Sequence, residues 1–103
     1  MTTPLSLDTA RREDGTLALV ATGEIDLSNV AVFAEALNNA VTQPDSTPVT
    51  VDLSAVEYLD SGAINVLFDK ADDVRVVANP LLIPVLKVSG LADLTSVVPA
   101  GAD

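Results

Sequence analysis

The chain has 103 residues, 49% hydrophobic but only 3% aromatic, with fifteen acidic residues against five basic ones and a formal charge of −10. That length supports one domain spanning residues 1–103, with a core built from Val, Leu, Ile and Ala, and the apolar content excludes a disordered chain. Nucleic acid and anionic lipid surfaces attract Lys/Arg clusters, which this sequence lacks, so neither is an expected partner.

Cysteine and histidine are both absent. Disulfide frameworks and Cys/His zinc sites are thereby excluded, and Ser-His-Asp or Cys-His catalysis loses its base. No Gly-x-Gly-x-x-Gly or Gly-Lys-Ser/Thr loop offers a nucleotide site. The reading is therefore a protein that is not an enzyme and carries no cofactor or metal. Met1-Thr2-Thr3-Pro4 shows no basic region followed by an apolar run, and no stretch reaches the ~18 apolar residues of a membrane span, so a cytoplasmic protein is expected.

In chain order, Leu5-Ser6-Leu7-Asp8-Thr9 alternates as a half-buried strand. Glu13-Asp14-Gly15 is a hairpin turn leading into a second strand over residues 16–23. Asp26 and Ser28 are both suitable N-caps for a first helix running to about Thr42, with Val30, Phe33, Ala34, Leu37 and Val41 at helical spacing. Two prolines mark residues 43–48 as a loop.

Val49, Val51 and Leu53 predict a third strand, linked by residues 54–57 to the corner Leu59-Asp60-Ser61. Ile64, Leu67, Phe68 and Ala71 predict a second helix, and residues 74–78 a fourth strand. A third helix over residues 79–88 must begin near Pro84 or kink there, because proline cannot donate within a helix, and Ser89-Gly90 should end it. Residues 94–98 predict a last edge strand. The order β-β-α-β-α-β-α-β predicts an α/β fold: a mixed β-sheet opened by a hairpin, largely parallel in its second half, with helices packed against it.

The corner at Asp60-Ser61 carries the most chemistry. A hydroxyl at a helix start meets free backbone N–H groups and the positive end of the helix dipole, a favourable place for a phosphate. Helical projection lines Ser61, Asn65, Asp69 and Asp72 along one polar strip. Glu24 and Asp26 would share an edge with Ser61 if the second and third strands are neighbours. There their carboxylates could orient the hydroxyl or hold a kinase's metal. From the residues alone, a capped helix start with a solvated strip accounts for the same pattern.

Three segments together resemble the STAS domains of bacterial anti-sigma factor antagonists: Gly23-Glu24-Ile25-Asp26, Val51-Asp52-Leu53-Ser54, and Leu59-Asp60-Ser61-Gly62-Ala63-Ile64. Val88-Ser89-Gly90-Leu91 matches the family's Ser-Gly-Leu turn, and the likeness runs from about Leu5 to Val98. The chain departs from the family's frequent Asp-Ser-Ser-Gly-Leu-Gly by reading Asp-Ser-Gly-Ala-Ile-Asn. Its second helix is short, and no room remains after Val98 for the family's C-terminal helix.

The resemblance implies a STAS-like fold and a non-enzymatic switch in sigma-factor-dependent transcription. Ser61 would be the phosphoacceptor for an anti-sigma factor that is itself a serine kinase. Glu24, Asp26, Asp60, Gly62, Asn65 and Asp69 would contact that partner, and a phosphatase would reset Ser61. The alternative it implies is a STAS-type accessory subunit of a membrane transport complex, docking constitutively.

Overall fold

A computed structural model describes residues 4–44 and 48–101 of the chain. Residues 45–47 of the predicted loop, and the start of the amino terminus, lie outside the described residues. Two strands open the fold, β1 (Ser6–Arg11) and β2 (Leu17–Ile25), paired antiparallel through the predicted turn. Helix α1 (Val30–Val41) follows, then β3 (Val49–Leu59), α2 (Ser61–Asp69), β4 (Val74–Ala78), α3 (Ile83–Val88) and β5 (Val97–Pro99). The sheet order is β1-β2-β3-β4-β5, and every pair after the hairpin is parallel, which is the predicted mixed sheet.

Pleating explains which residues face the helices. Leu17, Leu19, Ala21 and Ile25 of β2, Val49, Val51 and Leu53 of β3, and Val74, Val76 and Ala78 of β4 all point to one side. There they form a single core with Phe33 and Leu37 of α1, Ala63, Ile64 and Leu67 of α2, and Leu86 of α3. Each fully buried Leu or Ile contributes roughly 1.5–3 kcal/mol of transfer free energy, so this layer holds the helices on the sheet. Among the described residues, the helices join the core on this one face, and the other face is sheet surface. On it Thr50 is buried beneath Arg75, whose Nε donates to the Thr50 hydroxyl at 2.9 Å.

The largest departure from expectation is β3, which runs six residues past Leu53 where a linker was predicted. Between Val20↔Asp52 and Ile25↔Leu59, β2 advances five residues and β3 seven. Two β-bulges absorb the surplus, one at each register shift. The inward residues accordingly become Leu53, Val56 and Leu59, spaced by three. That spacing breaks the period-2 signal on which strand recognition rests. Gly23, at the second shift, has φ +99°, a left-handed conformation that side chains with a Cβ adopt at a cost. Asn79, just past β4, secures the bulged strand: its amide donates to the Leu53 carbonyl at 3.2 Å and its Nδ2 to the Val56 carbonyl at 3.3 Å.

Three smaller corrections concern element ends. α2 stops at Asp69, and Asp72 sits in a separate 3-10 turn, so Asp72 leaves the predicted polar strip. α3 begins at Ile83 with Pro84 in its first turn, after a 3-10 turn at Pro80–Leu82, and Gly90 follows it in a left-handed conformation, φ +92°. The last strand lies at Val97–Pro99 because Leu91–Asp93 closes into another 3-10 turn.

Candidate functional site

Parallel pairing of β2 and β3 delivers their carboxyl ends side by side, with Ile25 opposite Leu59. One backbone hydrogen bond then ties the two corners together: the Asp60 amide donates to the Ile25 carbonyl at 3.0 Å. Asp60-Ser61 and Glu24-Ile25-Asp26 therefore form one edge, as the sequence required of neighbouring strands.

Asp60 is the N-cap of α2. Its backbone is extended and its Oδ1 accepts from the Ala63 amide at 3.2 Å. Ser61 is the first helical residue and is exposed. The first amides of a helix have no partner within it, and the dipole places partial positive charge there. A phosphate esterified to the Ser61 hydroxyl would meet both. Gly62 is half-buried against the start of α1: a Cβ there would lie 3.1 Å from Asp60 Oδ1 and 3.6 Å from Val30 Cγ2. Its missing side chain lets α1 approach without displacing the capping carboxylate.

The second corner is a closed network. Asp26 Oδ1 accepts from the Ser28 amide at 2.9 Å and the Ser28 hydroxyl at 2.5 Å. These bonds from Ser28 hold the Asp26 carboxyl below its ordinary 3.8. Neither Asp26 nor Ser28 caps α1 as predicted. The residue before the helix is Asn29, whose side chain instead reaches back, Oδ1 accepting from the Asp26 amide and Nδ2 donating to the Glu24 carbonyl, each at 2.9 Å. The Asp26 carbonyl also accepts from the Asn29 and Val30 amides at 3.1 and 2.9 Å.

Glu24, Asp26, Asp60, Gly62 and Ser61 are thus brought together. Asn65 and Asp69 are exposed along α2, but Asp69 ends the helix, about 12 Å from Ser61 at 1.5 Å per residue. Glu57 and Tyr58, exposed where β3 ends, and Leu27, exposed between Asp26 and Ser28, join the edge without having been anticipated. Asn29 was also missed. An Asp-x-Ser-Asn run after a strand is the available signal, since short polar side chains there bond neighbouring backbone. All ionisable residues in these two corners are acidic, whereas Arg11 and Arg75 lie by the opposite ends of β2 and β3. No group of three carboxylates among the described residues is arranged to hold a metal ion. No described helix is long and apolar enough to cross a membrane.

Comparison with known proteins agrees with this geometry. A family model described as "Mlab, STAS domain" matches residues 9–98. An anti-sigma factor antagonist from Mycobacterium paratuberculosis superposes with a TM-score of 0.82 at 25% identity, covering 95% of this chain and 88% of that one. The anti-sigma factor antagonist SpoIIAA in its unphosphorylated form gives 0.71 at 19% identity, covering 96% and 90%. SpoIIAA from Bacillus has also been solved phosphorylated, at TM-score 0.58 and 20% identity, covering 96% of this chain and 93% of that chain. A mixed sheet with its helices on one face, an acidic edge headed by an N-terminal helix serine, and a family match over most of the length converge: the chain belongs to the STAS domain family.

Proposed function

We propose that this protein is an anti-sigma factor antagonist whose affinity for its partner is set by phosphorylation of Ser61. Unmodified, its acidic edge binds an anti-sigma factor that is also a serine kinase, freeing the sigma factor for transcription. That kinase phosphorylates Ser61, the complex dissociates, and a phosphatase restores the binding form. The protein acts in the cytoplasm by contact and not by catalysis. One observation carries this reading: an exposed hydroxyl on the first residue of α2, bonded through its neighbour to the acidic turn at Asp26. A phosphate there adds about −1.5 to −2 charge to an edge already lined with carboxylates. The helix start tolerates the anion, while a partner fitted closely around the hydroxyl does not.

The test is phosphate transfer. Incubation with ATP and the cognate anti-sigma factor kinase should add one phosphate, roughly 80 Da, located at Ser61 by fragmentation. Ser61→Ala should remain unmodified and stay bound. Phosphate found elsewhere, or none at all, would remove the proposal.

A further inference from the structure

We infer that Leu27 is a preset apolar anchor for the partner, seating in a hydrophobic pocket rimmed by Lys or Arg. The inference rests on the proposed function and names a chemistry that the switch itself does not require.

Leu27 is 82% exposed. It is the tip of the turn between β2 and α1, and the turn is fixed on every side of it. The Asp26 carboxylate holds the Ser28 amide and hydroxyl, the Asn29 side chain holds the Asp26 amide and the Glu24 carbonyl, and the Asp26 carbonyl holds Asn29 and Val30. Single exposed leucines are common and need no explanation. Here the leucine is held out by a pedestal that consumes four polar side-chain contacts. The backbone that presents this leucine is already ordered, so docking costs only the freedom of the side chain itself, a condition under which apolar contact converts more fully into affinity.

Position supports the same conclusion. The Asp60 amide bonds the Ile25 carbonyl, so Leu27 lies two residues beyond that bond on one segment and Ser61 one residue beyond it on the other. Both side chains therefore belong to the same edge. Tyr58, 51% exposed and opposite Glu24, extends the apolar surface on the adjoining strand. Around these two residues stand Glu24, Asp26, Glu57 and Asp60, with no cation in either corner segment. A pocket that accepts Leu27 must face this ring of carboxylates, so its rim is basic. Phosphate on Ser61 would then act by its bulk and by placing a charge against the apolar pocket beside the seated leucine, and not through the edge's total charge, which a basic rim attracts.

The experiment titrates each purified anti-sigma factor kinase of the host against wild type, Leu27→Ala, Leu27→Asp and Val88→Ala by calorimetry. Val88, 88% exposed on α3, is the control for loss of an exposed apolar side chain away from this edge. A kinase that binds wild type should bind Leu27→Ala about ten- to thirty-fold more weakly, the loss expected for uncovering most of a leucine. It should bind Leu27→Asp more weakly still, and Val88→Ala like wild type. Equal binding of wild type and both Leu27 variants would overturn the anchor and leave the switch standing. A loss confined to Val88→Ala would move docking to α3 and overturn it likewise. Failure of every kinase to bind wild type would overturn the proposed function, and the anchor with it. Unfolding midpoints of the Leu27 variants should match wild type, since the side chain is 82% exposed and outside the core.

Discussion

Ser61→Glu separates the switch from the fold. The substituted carboxylate would sit at the first position of α2, where the helix dipole favours a negative charge by about 0.3–1 kcal/mol. Asp60, the adjacent cap, opposes it: at roughly 6 Å in water the repulsion between two unit charges is about 0.7 kcal/mol. The two nearly cancel, and because Ser61 is exposed no packing is lost. Stability should therefore stay within about 1 kcal/mol, and the thermal midpoint within about 8 °C for a chain of this size. Partner binding should respond on another scale. An uncompensated charge enclosed in the interface costs about 3 kcal/mol or more, which is over a hundredfold in Kd. Circular dichroism melts and calorimetric titration against the kinase, run on the same samples, measure both quantities. An unchanged Kd would refute the electrostatic reasoning and favour a partner that docks constitutively, as in a transport complex. A midpoint lowered by more than about 10 °C would show that the corner does not accept an anion.

Three further outcomes follow from the same geometry. Asp60→Ala removes the bond to the Ala63 amide and should cost about 1 kcal/mol, lowering the thermal midpoint by roughly 4–8 °C; an unchanged melt would show that the cap contributes nothing. Gly23→Ala forces a Cβ into a left-handed conformation at the second bulge and should destabilise by about 1–2 kcal/mol, with a neutral result in chemical denaturation refuting the strained register. Asp26 bonds Ser28 as a carboxylate, so its carboxyl is depressed in the folded state. Any stability from that bond is present above the ordinary 3.8 and is lost as pH falls through the lower folded value. A carboxyl-detected NMR titration should place the Asp26 midpoint below 3.8, with the Ser28 amide shifting in step; a midpoint at or above 3.8 would refute the network.

How much of this was legible beforehand depended on whether one periodicity persisted. The fourth strand is seen at residues 74–78 as expected, because Val74-Arg75-Val76-Val77-Ala78 alternates burial without interruption. The first helix begins at Val30 for the same reason: Val30, Phe33 and Leu37 keep one face inward. The Asp60-Ser61 corner was visible because capping chemistry is local and does not depend on distant residues. β3 was truncated at Leu53 because each bulge inserts a residue that the pleat does not count, leaving Ser54-Ala55 and Glu57-Tyr58 as exposed pairs that mimic a loop. The capping roles given to Asp26 and Ser28 failed because Asn29, one residue later, engages the preceding strand in place of the helix. Asp72 was projected along a helix whose end no nearby glycine or proline announced.

The two surplus residues of β3 have a further consequence. Because each surplus residue is one the pleat does not count, removing one at a bulge would restore plain alternation, keep Val56 and Leu59 facing the core, and straighten the strand so that the corner beyond it is aimed differently. A change in the length of this segment would thus act as a coarse steering gear for the whole edge, redirecting the serine toward a differently shaped partner while every side chain at the corner stays the same.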